Sequence, residues 1–453
     1  MSTATRLAHA ARDRVEHPAQ ALTRWSLGQA LPSTAIAARA RRGDLQGQVI
    51  RATHDSQELP LELFARIREA GPFYRGHFAL VTAHHAVVRE VLSSPDVQAG
   101  IGLQDDRPIA RLLGWAGRSA PMGPLSEPSL LVTEPPDHTR MRKLVTRVFT
   151  VRAVEGLRAR TEQVAEELLD DLVREAPRTR RGGPVDLVDA YAAALPVTVI
   201  CEILGVPLEE RDVVRRFGTL AAPSLDLGLP LVRFRQVERT LREFDAWLRD
   251  HIEQVRRSPG QDLLSQLVAV RDDDGARLSD AELISTAGLV LAAGFETTVN
   301  LIGNATALLA EHPEQRAALV AGEVPWLRAV DEALRFDPPV LLTGRTAVRD
   351  TEIAGVPIRK GRVVTALLAA ANRDPLVFTD PDTFDVRREN AGDHLAFSGG
   401  RHYCLGAALA RMEGEVALRT LHERFGSLTL APGARRRDTR ILRGWARLPV
   451  ELG

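Results

Sequence analysis

The chain has 453 residues, of which 44% are hydrophobic, and its 59 basic and 59 acidic side chains give it no net charge. A neutral chain is not expected to bind nucleic acid through bulk electrostatics. Two cysteines exclude a disulfide framework, a multi-cysteine zinc site and a four-cysteine iron–sulfur cluster. We find no secretory signal and no run of 18 or more apolar residues, so we predict a cytoplasmic protein without a membrane span.

Residues 1–49 form an N-terminal extension rich in Arg and Ala. One interpretation is a transit peptide, but Asp13, Glu16 and Asp44 weaken it because such peptides are poor in acidic residues. We therefore predict a helical extension. No long Gly/Ser/Pro linker divides the rest of the chain, so residues 50–453 are predicted to form one large domain.

The segment EPPDHTRMRKL, residues 134–144, predicts a helix that begins at its two prolines and Asp137. His138 and Arg142 stand at positions i and i+4 and so share one face of this helix. A functional pair is one interpretation. The alternative is an ordinary His/Arg pair on a solvated surface.

A long helix is predicted from Ser279, which forms a capping box with Glu282, to the residue before Pro313. Its middle is apolar nearly all round, which is typical of a helix that crosses the core. Glu296 and Thr297 nevertheless lie in that middle. A buried acid costs free energy unless it is paired or functional. A functional acid and an internal salt bridge are therefore the two interpretations of Glu296.

The next helix, VPWLRAVDEALRFDPP, carries Glu332 and Arg335 at i and i+3 on one face, which alone is weak evidence for any function. After Pro339 the pattern changes to that of strands, and the rest of the chain is mainly helical. The predicted strands cover residues 344–350, 351–355, 356–361 and 362–370.

The segment FSGGRHYCLG, Phe397 to Gly406, places Cys404 after a glycine-bent loop and just before an amphipathic helix. The amides and dipole at the start of that helix favour a thiolate, which can ligate iron. The alternative is a buried structural cysteine. Cys201, in LPVTVICEILGVP, is predicted to be such a core residue.

This loop resembles that of the cytochrome P450 family of haem-thiolate monooxygenases, in particular the bacterial, ferredoxin-dependent type. The matching positions are Phe397, Gly400, His402, Cys404 and Gly406. The central helix is similar to the oxygen-binding helix of that family at Ala293, Gly294, Phe295, Glu296 and Thr297. Glu332 and Arg335 match its Glu-x-x-Arg pair, and Arg387 matches the arginine that completes this structural trio.

The resemblance implies a mainly α fold with small β-sheets in a single large triangular domain. It implies haem b as the cofactor, Cys404 as the iron ligand, and Glu296 with Thr297 as the catalytic pair that supports dioxygen and feeds protons. The implied cofactor-binding residues are His138, Arg142, Ala293, Arg345, Phe397, Gly400, His402, Cys404 and Gly406.

The resemblance also implies an apolar pocket for a hydrophobic substrate such as a lipid, terpenoid, steroid or polyketide. Substrate contacts in the family come from the loop before the His138 helix, residues 220–234, the central helix, the stretch after the Glu332 helix and a C-terminal turn. These segments supply Leu289, Ala292, Ala293, Val340, Leu341, Leu342, Ile441 and Leu442.

No electron-transfer module is fused to the domain, so the implied partners are a ferredoxin and its reductase. We predict that the ferredoxin docks on the Cys404 side, on the cations Arg140, Lys143, Arg147, Arg401 and Arg411. A solvated helix face is the alternative for these charges.

Two other functions remain in competition with oxygen insertion. A peroxide-using or isomerising haem-thiolate enzyme usually replaces the acid–alcohol pair, which is present here. A haem-based gas sensor or carrier would need neither a proton relay nor a wide apolar pocket.

Overall fold

We describe the fold from a computed structural model covering residues 17–55, 58–100, 108–175, 183–271 and 275–452. The α-helices are α1 Pro18–Trp25, α2 Leu31–Arg41, α3 Leu45–Asp55, α4 Leu61–Glu69, α5 His85–Ser93, α6 Pro108–Gly117, α7 Asp137–Val148, α8 Val151–Glu155, α9 Arg158–Glu175, α10 Ala194–Ile203, α11 Arg211–Ala221, α12 Leu231–Arg257, α13 Leu263–Ala269, α14 Asp280–Glu311, α15 Pro313–Val320, α16 Trp326–Phe336, α17 Leu368–Ala371 and α18 Ala407–Arg424. Two π-helical turns, Ser26–Ala30 and Val188–Ala192, interrupt this pattern.

The strands are short and form small sheets. They are β1 Tyr74–Arg75, β2 Leu80–Thr82, β3 Val97–Ala99, β4 Val185–Asp186, β5 Thr343–Ala347, β6 Thr351–Ile353, β7 Val356–Ile358, β8 Val363–Ala366, β9 Thr429–Leu430, β10 Arg435–Arg436, β11 Trp445–Arg447 and β12 Pro449–Glu451. One sheet has the order β1-β2-β8-β5-β3, in which β2 and β8 run parallel and the other neighbours antiparallel. The predicted fold class, mainly α with small sheets, is confirmed.

Helix α14 matches its sequence prediction closely. Ser279 caps it by accepting the Glu282 N–H, and the Glu282 carboxylate accepts the Ser279 N–H in return, which completes the capping box. The helix packs along α18, where an added Cβ on Gly414 would lie only 3.2 Å from Leu301. By length and composition α14 could cross a membrane, but 61% of its apolar window is buried inside the protein, as in a core helix.

The N-terminal extension is helical in its described part, but the boundary expected at residues 49 and 50 falls inside α3. Leu45 and Val49 are buried in one cluster with Phe64, Val81 and Leu341. The extension therefore shares a hydrophobic core with the rest of the chain.

The strand expected over residues 362–370 ends early. Strand β8 stops at Ala366, and Leu368–Ala371 form a short helix that is completely buried. Because the segment is apolar throughout, its pattern does not distinguish a strand from a buried helical turn.

Candidate active site

The Cys404 loop is a tight turn that leads into α18. Gly400 has φ +63°, and a Cβ there would lie 2.2 Å from the Leu92 carbonyl oxygen, so the position requires glycine. The Cys404 N–H donates to the Phe397 carbonyl at 3.0 Å and closes the turn. At Gly406 an added Cβ would contact no protein atom within 4 Å, so this residue contributes to the site through its backbone.

Cys404 is an exposed residue, although protein surrounds its thiol. Desolvation by the surrounding protein raises the pKa of its thiol. The Gly406 N–H, which points at the sulfur, and the cations Arg142 and Arg411 act in the opposite direction. The arrangement provides an exposed cysteine with a donor and positive charge near its sulfur, which suits a metal-binding thiolate. Cys201 differs, because it is completely buried and burial raises its pKa to about 12.

Basic side chains converge beside this loop. They are His138, Arg142, Arg345, Arg401 and His402, and Glu134 is the carboxylate at their centre. Glu134 contacts His402 at 3.0 Å and Arg401 at 2.7 Å. Although burial alone would raise the pKa of Glu134, these bonds and the Ala99 N–H lower it to about 2.

Three of these basic groups, His138, Arg142 and Arg345, have no carboxylate within bonding distance in the part of the chain that the structure describes. His138 is 3% exposed, and its Nε2 has no hydrogen-bond partner among the residues that the structure describes. Its pKa falls to about 4 through burial and through the nearby His402 and Arg142. Arg345 donates to the Thr343 hydroxyl and the Gly344 carbonyl, both at 2.9 Å, and burial lowers its pKa to about 10.

Within the described ranges, Arg142 and Arg345 are positive charges without a carboxylate partner, and neutral His138 has an unpartnered ring nitrogen. This set fits a ligand that carries carboxylates. An unpaired buried cation is costly, and a charged oxygen acceptor would remove that cost. The neighbouring thiol supplies a metal ligand. The donor set therefore fits an iron group with anionic substituents.

The middle of α14 has one accessible face. Leu289, Ala293 and Thr297 lie four residues apart on one line of the helix, with Ala293 exposed and the other two half-buried. The Thr297 hydroxyl donates to the Ala293 carbonyl at 2.7 Å. This face can contact a ligand, whereas Phe295 is completely buried under Gly218 of α11.

Glu296 lies on a different face from Thr297. It is 2% exposed, and Nη1 of Arg437, from the C-terminal hairpin, is 2.8 Å from its Oε1. The contact is an ion pair whose angles are not those of a hydrogen bond. Burial raises the pKa of Glu296, and the positive charge of Arg437 opposes that rise. Glu296 therefore forms an ion pair with Arg437 in the structure, and its catalytic role stays a prediction.

Comparison with known proteins decides the family. A model of the cytochrome P450 family matches residues 122–441. The chain belongs to the cytochrome P450 family. Its members bind haem and work with redox partner proteins and dioxygen, and this chain is a haem-thiolate monooxygenase of bacterial type.

Two relatives and one solved P450 structure show how far the similarity extends. The chain is 48% identical to a putative cytochrome P450 140 of Mycobacterium tuberculosis over 415 residues, 91% of this chain and 93% of the relative. It is 44% identical to the 6-deoxyerythronolide B hydroxylase of Saccharopolyspora erythraea over 71% of this chain and 77% of that enzyme. Its fold superimposes on Mycobacterium smegmatis CYP164A2 with a TM-score of 0.76 at 34% identity, covering 90% and 99% of the two chains.

The predicted substrate residues of this P450 divide into two groups. Leu289, Ala292, Val340, Leu342 and Ile441 are half-buried, which is compatible with a pocket wall. Leu341 and Leu442 are 3% and 5% exposed. Leu341 packs into the cluster of Leu45 and Phe64. Leu341 and Leu442 are therefore buried in this structure, unlike the other predicted wall residues.

The buried scaffold around Glu332 corrects one residue of the predicted trio. Both Glu332 oxygens contact Arg335 at 2.7 Å, and both side chains are completely buried. The third arginine is Arg388, whose Nε is 3.3 Å from Glu332. The assignment of Arg387 was wrong, because that side chain points outwards and pairs with exposed Glu323 at 2.8 Å.

Replacing Arg388 should therefore damage the fold far more than replacing Arg387. Arg388 also donates to the Thr379, Asp380 and Thr383 carbonyls. Arg388→Met leaves those carbonyls and Glu332 with fewer hydrogen-bond donors. We expect the free energy of unfolding to fall by about 3–5 kcal/mol. Arg387→Met removes an exposed pair worth about 0–1 kcal/mol. Denaturant titration of both variants checks this expectation, and equal losses would contradict it.

A further buried acid, Glu413 on α18, is not apparent from the sequence. It is 2% exposed, and burial raises its pKa to about 8. Its partner is the Thr298 hydroxyl. That contact lowers the pKa and so opposes the effect of burial. The Thr298 hydroxyl also contacts the Gly294 carbonyl at 2.8 Å, so Glu413 links α18 to α14.

This raised pKa predicts a pH-dependent stability. At pH values between the ordinary pKa of 4.5 and the raised pKa of about 8, Glu413 keeps its proton in the native protein but has released it in the unfolded chain. The free energy of unfolding is therefore highest at low pH with respect to this group. It falls by up to ~4–5 kcal/mol as the pH rises through that range. Glu413→Gln keeps the shape without the titration, so its stability relative to wild type should increase from pH 5 to 8.5. Unfolding midpoints across pH test this, with exposed Glu423→Gln as the control.

Sequence reasoning missed the partners that fix the predicted residues. Glu134 holds His402 and Arg401, and Arg437 holds Glu296. Glu134 precedes the two prolines that open α7, so its place beside the His138 motif was a signal that could have found it. Arg437 lies 141 positions from Glu296, in a run of arginines that carries no such signal.

Proposed function

We propose that this P450 binds haem b through the Cys404 thiolate and inserts one oxygen atom of dioxygen into a hydrophobic small molecule. The observation that carries the proposal is the exposed Cys404, with the Gly406 N–H directed at its sulfur, beside the excess of basic groups. When bound, the haem supplies the oxygen-activating chemistry, which a thiolate ligand promotes.

In this proposal His138, Arg142, Arg345 and His402 bind the haem propionates. The unpartnered His138 Nε2 and the buried Arg345 guanidinium support this role, because the first would gain a hydrogen-bond partner and the second a charged acceptor in addition to its neutral ones. Arg142 donates to the Tyr403 carbonyl at 2.8 Å and so also holds the cysteine loop. Ala293 and Phe397 would contact the macrocycle, and Gly400 shapes the loop that carries the sulfur.

Thr297 would hold and pass a proton on the accessible face of α14, and Glu296 would replenish it. Burial raises the pKa of Glu296 and Arg437 opposes that rise. In its protonated state Glu296 can donate a proton to the relay. Arg437 holds the carboxylate away from that face. We therefore infer that Glu296 acts through water, or after it leaves Arg437.

The substrate in this proposal is a bulky, mainly apolar molecule. The half-buried wall residues are hydrophobic, and among the relatives are hydroxylases of 6-deoxyerythronolide B and of vitamin D(3). Screening the ferric holoenzyme by difference spectroscopy with steroids, terpenoids, fatty acids and macrolactones tests the class. A spectral shift followed by oxygenated product supports it, and binding only of charged, compact molecules contradicts it.

The electron donor in this proposal is a ferredoxin, which would place the protein in the cytoplasm. A cavity of about 540 Å³ lies on the Cys404 side, lined by His138, Thr139, Arg142, Lys143, Thr146, Arg147 and Arg401. Three of the five predicted docking cations are compensated internally. Arg140 pairs with Glu282, Arg401 with Glu134, and Arg411 with Asp331. Lys143 and Arg147 are the exposed members.

Reversing those two charges should slow reduction by ferredoxin. Charge complementarity raises association rates about 10- to 1000-fold at low salt. The variant Lys143→Glu/Arg147→Glu should therefore be reduced by ferredoxin at least about tenfold more slowly, and its rate should depend less on salt. Arg235→Glu/Arg239→Glu on α12 is a matched control, with two exposed cations at the same i, i+4 spacing. Stopped-flow reduction by ferredoxin measures the rates, with dithionite as the chemical reference. An unchanged rate in the first variant would place the partner elsewhere.

A further inference from the structure

The N-terminal helices hold a loop between α11 and α12 through one glutamine. Gln29 Oε1 accepts the N–H groups of Gly228 at 2.6 Å and of Leu229 at 3.0 Å. The Trp25 indole donates to the Leu229 carbonyl at 2.8 Å. Three hydrogen bonds from two residues of the extension, Trp25 and Gln29, thus fix this dipeptide. Gln29 lies in the π-helical turn Ser26–Ala30, a geometry that often marks functional positions.

The approach of the two segments is close. Gly228 has φ +86°, and an added Cβ would lie 2.7 Å from Ser33 Oγ and 3.1 Å from Arg440 Nη1. The loop is therefore held between the extension on one side and the C-terminal turn on the other. A side chain at position 228 would push them apart.

The extension is anchored on both flanks of this loop. Arg24 forms a two-pronged ion pair with Glu238 of α12, at 2.7 and 2.9 Å. Gln20 donates to the Trp115 carbonyl of α6 at 3.0 Å. Because Arg24 also donates to Ala116, the extension ties α6 to α12 across the outside of the loop.

The loop itself contacts the predicted substrate wall. Asp226 is 4% exposed and accepts the N–H groups of Arg440 and Ile441, each at 3.0 Å. The Ile441 carbonyl in turn accepts the Leu341 N–H at 2.9 Å. Residues 220–234, 339–342 and 440–442 are therefore adjacent, and the extension covers the first of them.

We propose that Gln29 is a positioning residue for substrate entry, through which the N-terminal extension limits the opening of the loop at Gly228 and Leu229 to bulky apolar ligands. The inference rests on the proposed function, since it needs a ligand that enters this wall. One side-chain oxygen satisfies two backbone donors, so its loss frees the loop at the point where α11 and α12 would separate. Small ligands need no such separation, and bulky ligands do.

The test compares Gln29→Leu, which removes the acceptor, with Gln29→Glu, which keeps one. In the holoenzyme, stopped-flow binding of clotrimazole, a bulky azole, should be about tenfold faster in Gln29→Leu, as expected for loss of these hydrogen bonds. Binding of imidazole, a small ligand at the same iron, should change less than about twofold. Gln29→Glu should restore the wild-type clotrimazole rate.

A second readout needs no haem signal. Deuterium uptake of the peptide that contains Gly228 and Leu229 should accelerate in Gln29→Leu and not in Gln29→Glu. Gln48→Leu is the matched control, because Gln48 bonds to Ala40 within the extension itself.

Three outcomes overturn the proposal while leaving the haem assignment intact. They are unchanged uptake in Gln29→Leu, equal acceleration of both azoles, and an equal effect of Gln48→Leu. If the wild-type holoenzyme binds neither azole, the proposed function fails, and the entry proposal fails with it.

Discussion

Cys404→Ser should abolish the far-red-shifted Soret band of the reduced carbon monoxide complex and lower the haem content. The hydroxyl of serine is far less acidic than a thiol, so the donors at this position would have no anion to stabilise. The Gly406 N–H and the positive charges of Arg142 and Arg411 favour an anion at the sulfur position, which serine does not supply. Absorption spectra and haem quantification of the purified variant measure both effects.

Cys201→Ser is the matched control. Cys201 is completely buried on α10, and burial raises its pKa to about 12, so it does not supply a thiolate at neutral pH. The substitution should leave the band in place, with some loss of stability because a hydroxyl replaces a sulfur in the core. Retention of the band in Cys404→Ser and its loss in Cys201→Ser would reverse the assignment.

Features governed by neighbouring residues could be predicted from the sequence. The capping box of α14 joins Ser279 and Glu282, three positions apart, and the helix begins where the pattern placed it. The Glu332–Arg335 pair is likewise local to one helix face. Both depend on the periodicity of a helix, which the sequence displays directly.

Features governed by chain reversal or distant packing could not be predicted. Arg387 and Arg388 are adjacent, and only the turn that precedes them decides which one enters the buried site. In the same way, the pairing of Glu296 with Arg437 depends on how the C-terminal hairpin meets α14. An added Cβ on Gly444 would lie 1.9 Å from Asn300 Oδ1, so the hairpin backbone touches the helix one turn after Glu296.

The docking cations illustrate a similar limit for charge. Counted along the sequence, Arg140, Arg401 and Arg411 add three positive charges to the Cys404 side. In the fold each meets a carboxylate, and Arg401 and Arg411 are only partly exposed. Paired charges attract a distant partner weakly. Counting basic residues along the sequence therefore overstates the electrostatic field on the Cys404 side.

Thr297→Ala should divert electrons from product to peroxide while the haem content stays intact. The Thr297 hydroxyl lies on the accessible face of α14 and donates to the Ala293 carbonyl, so its oxygen is available to accept and pass a proton. Without it, proton delivery at that face is uncontrolled. Loss of one positioned proton-transfer group typically costs about 10²–10⁴ in rate.

Glu296→Gln should slow oxygen-dependent turnover within the same range of about 10²–10⁴, because the amide cannot release a proton. The amide also removes the charge that Arg437 pairs with, so stability is measured in parallel.

Thr298→Ala is the matched control for Thr297, since this adjacent hydroxyl faces Glu413 and the Gly294 carbonyl. Product and peroxide formed per electron are measured for each variant with one substrate from the screen. If Thr297→Ala and Glu296→Gln keep the wild-type yield, or Thr298→Ala loses as much, α14 does not carry the proton relay at Glu296 and Thr297.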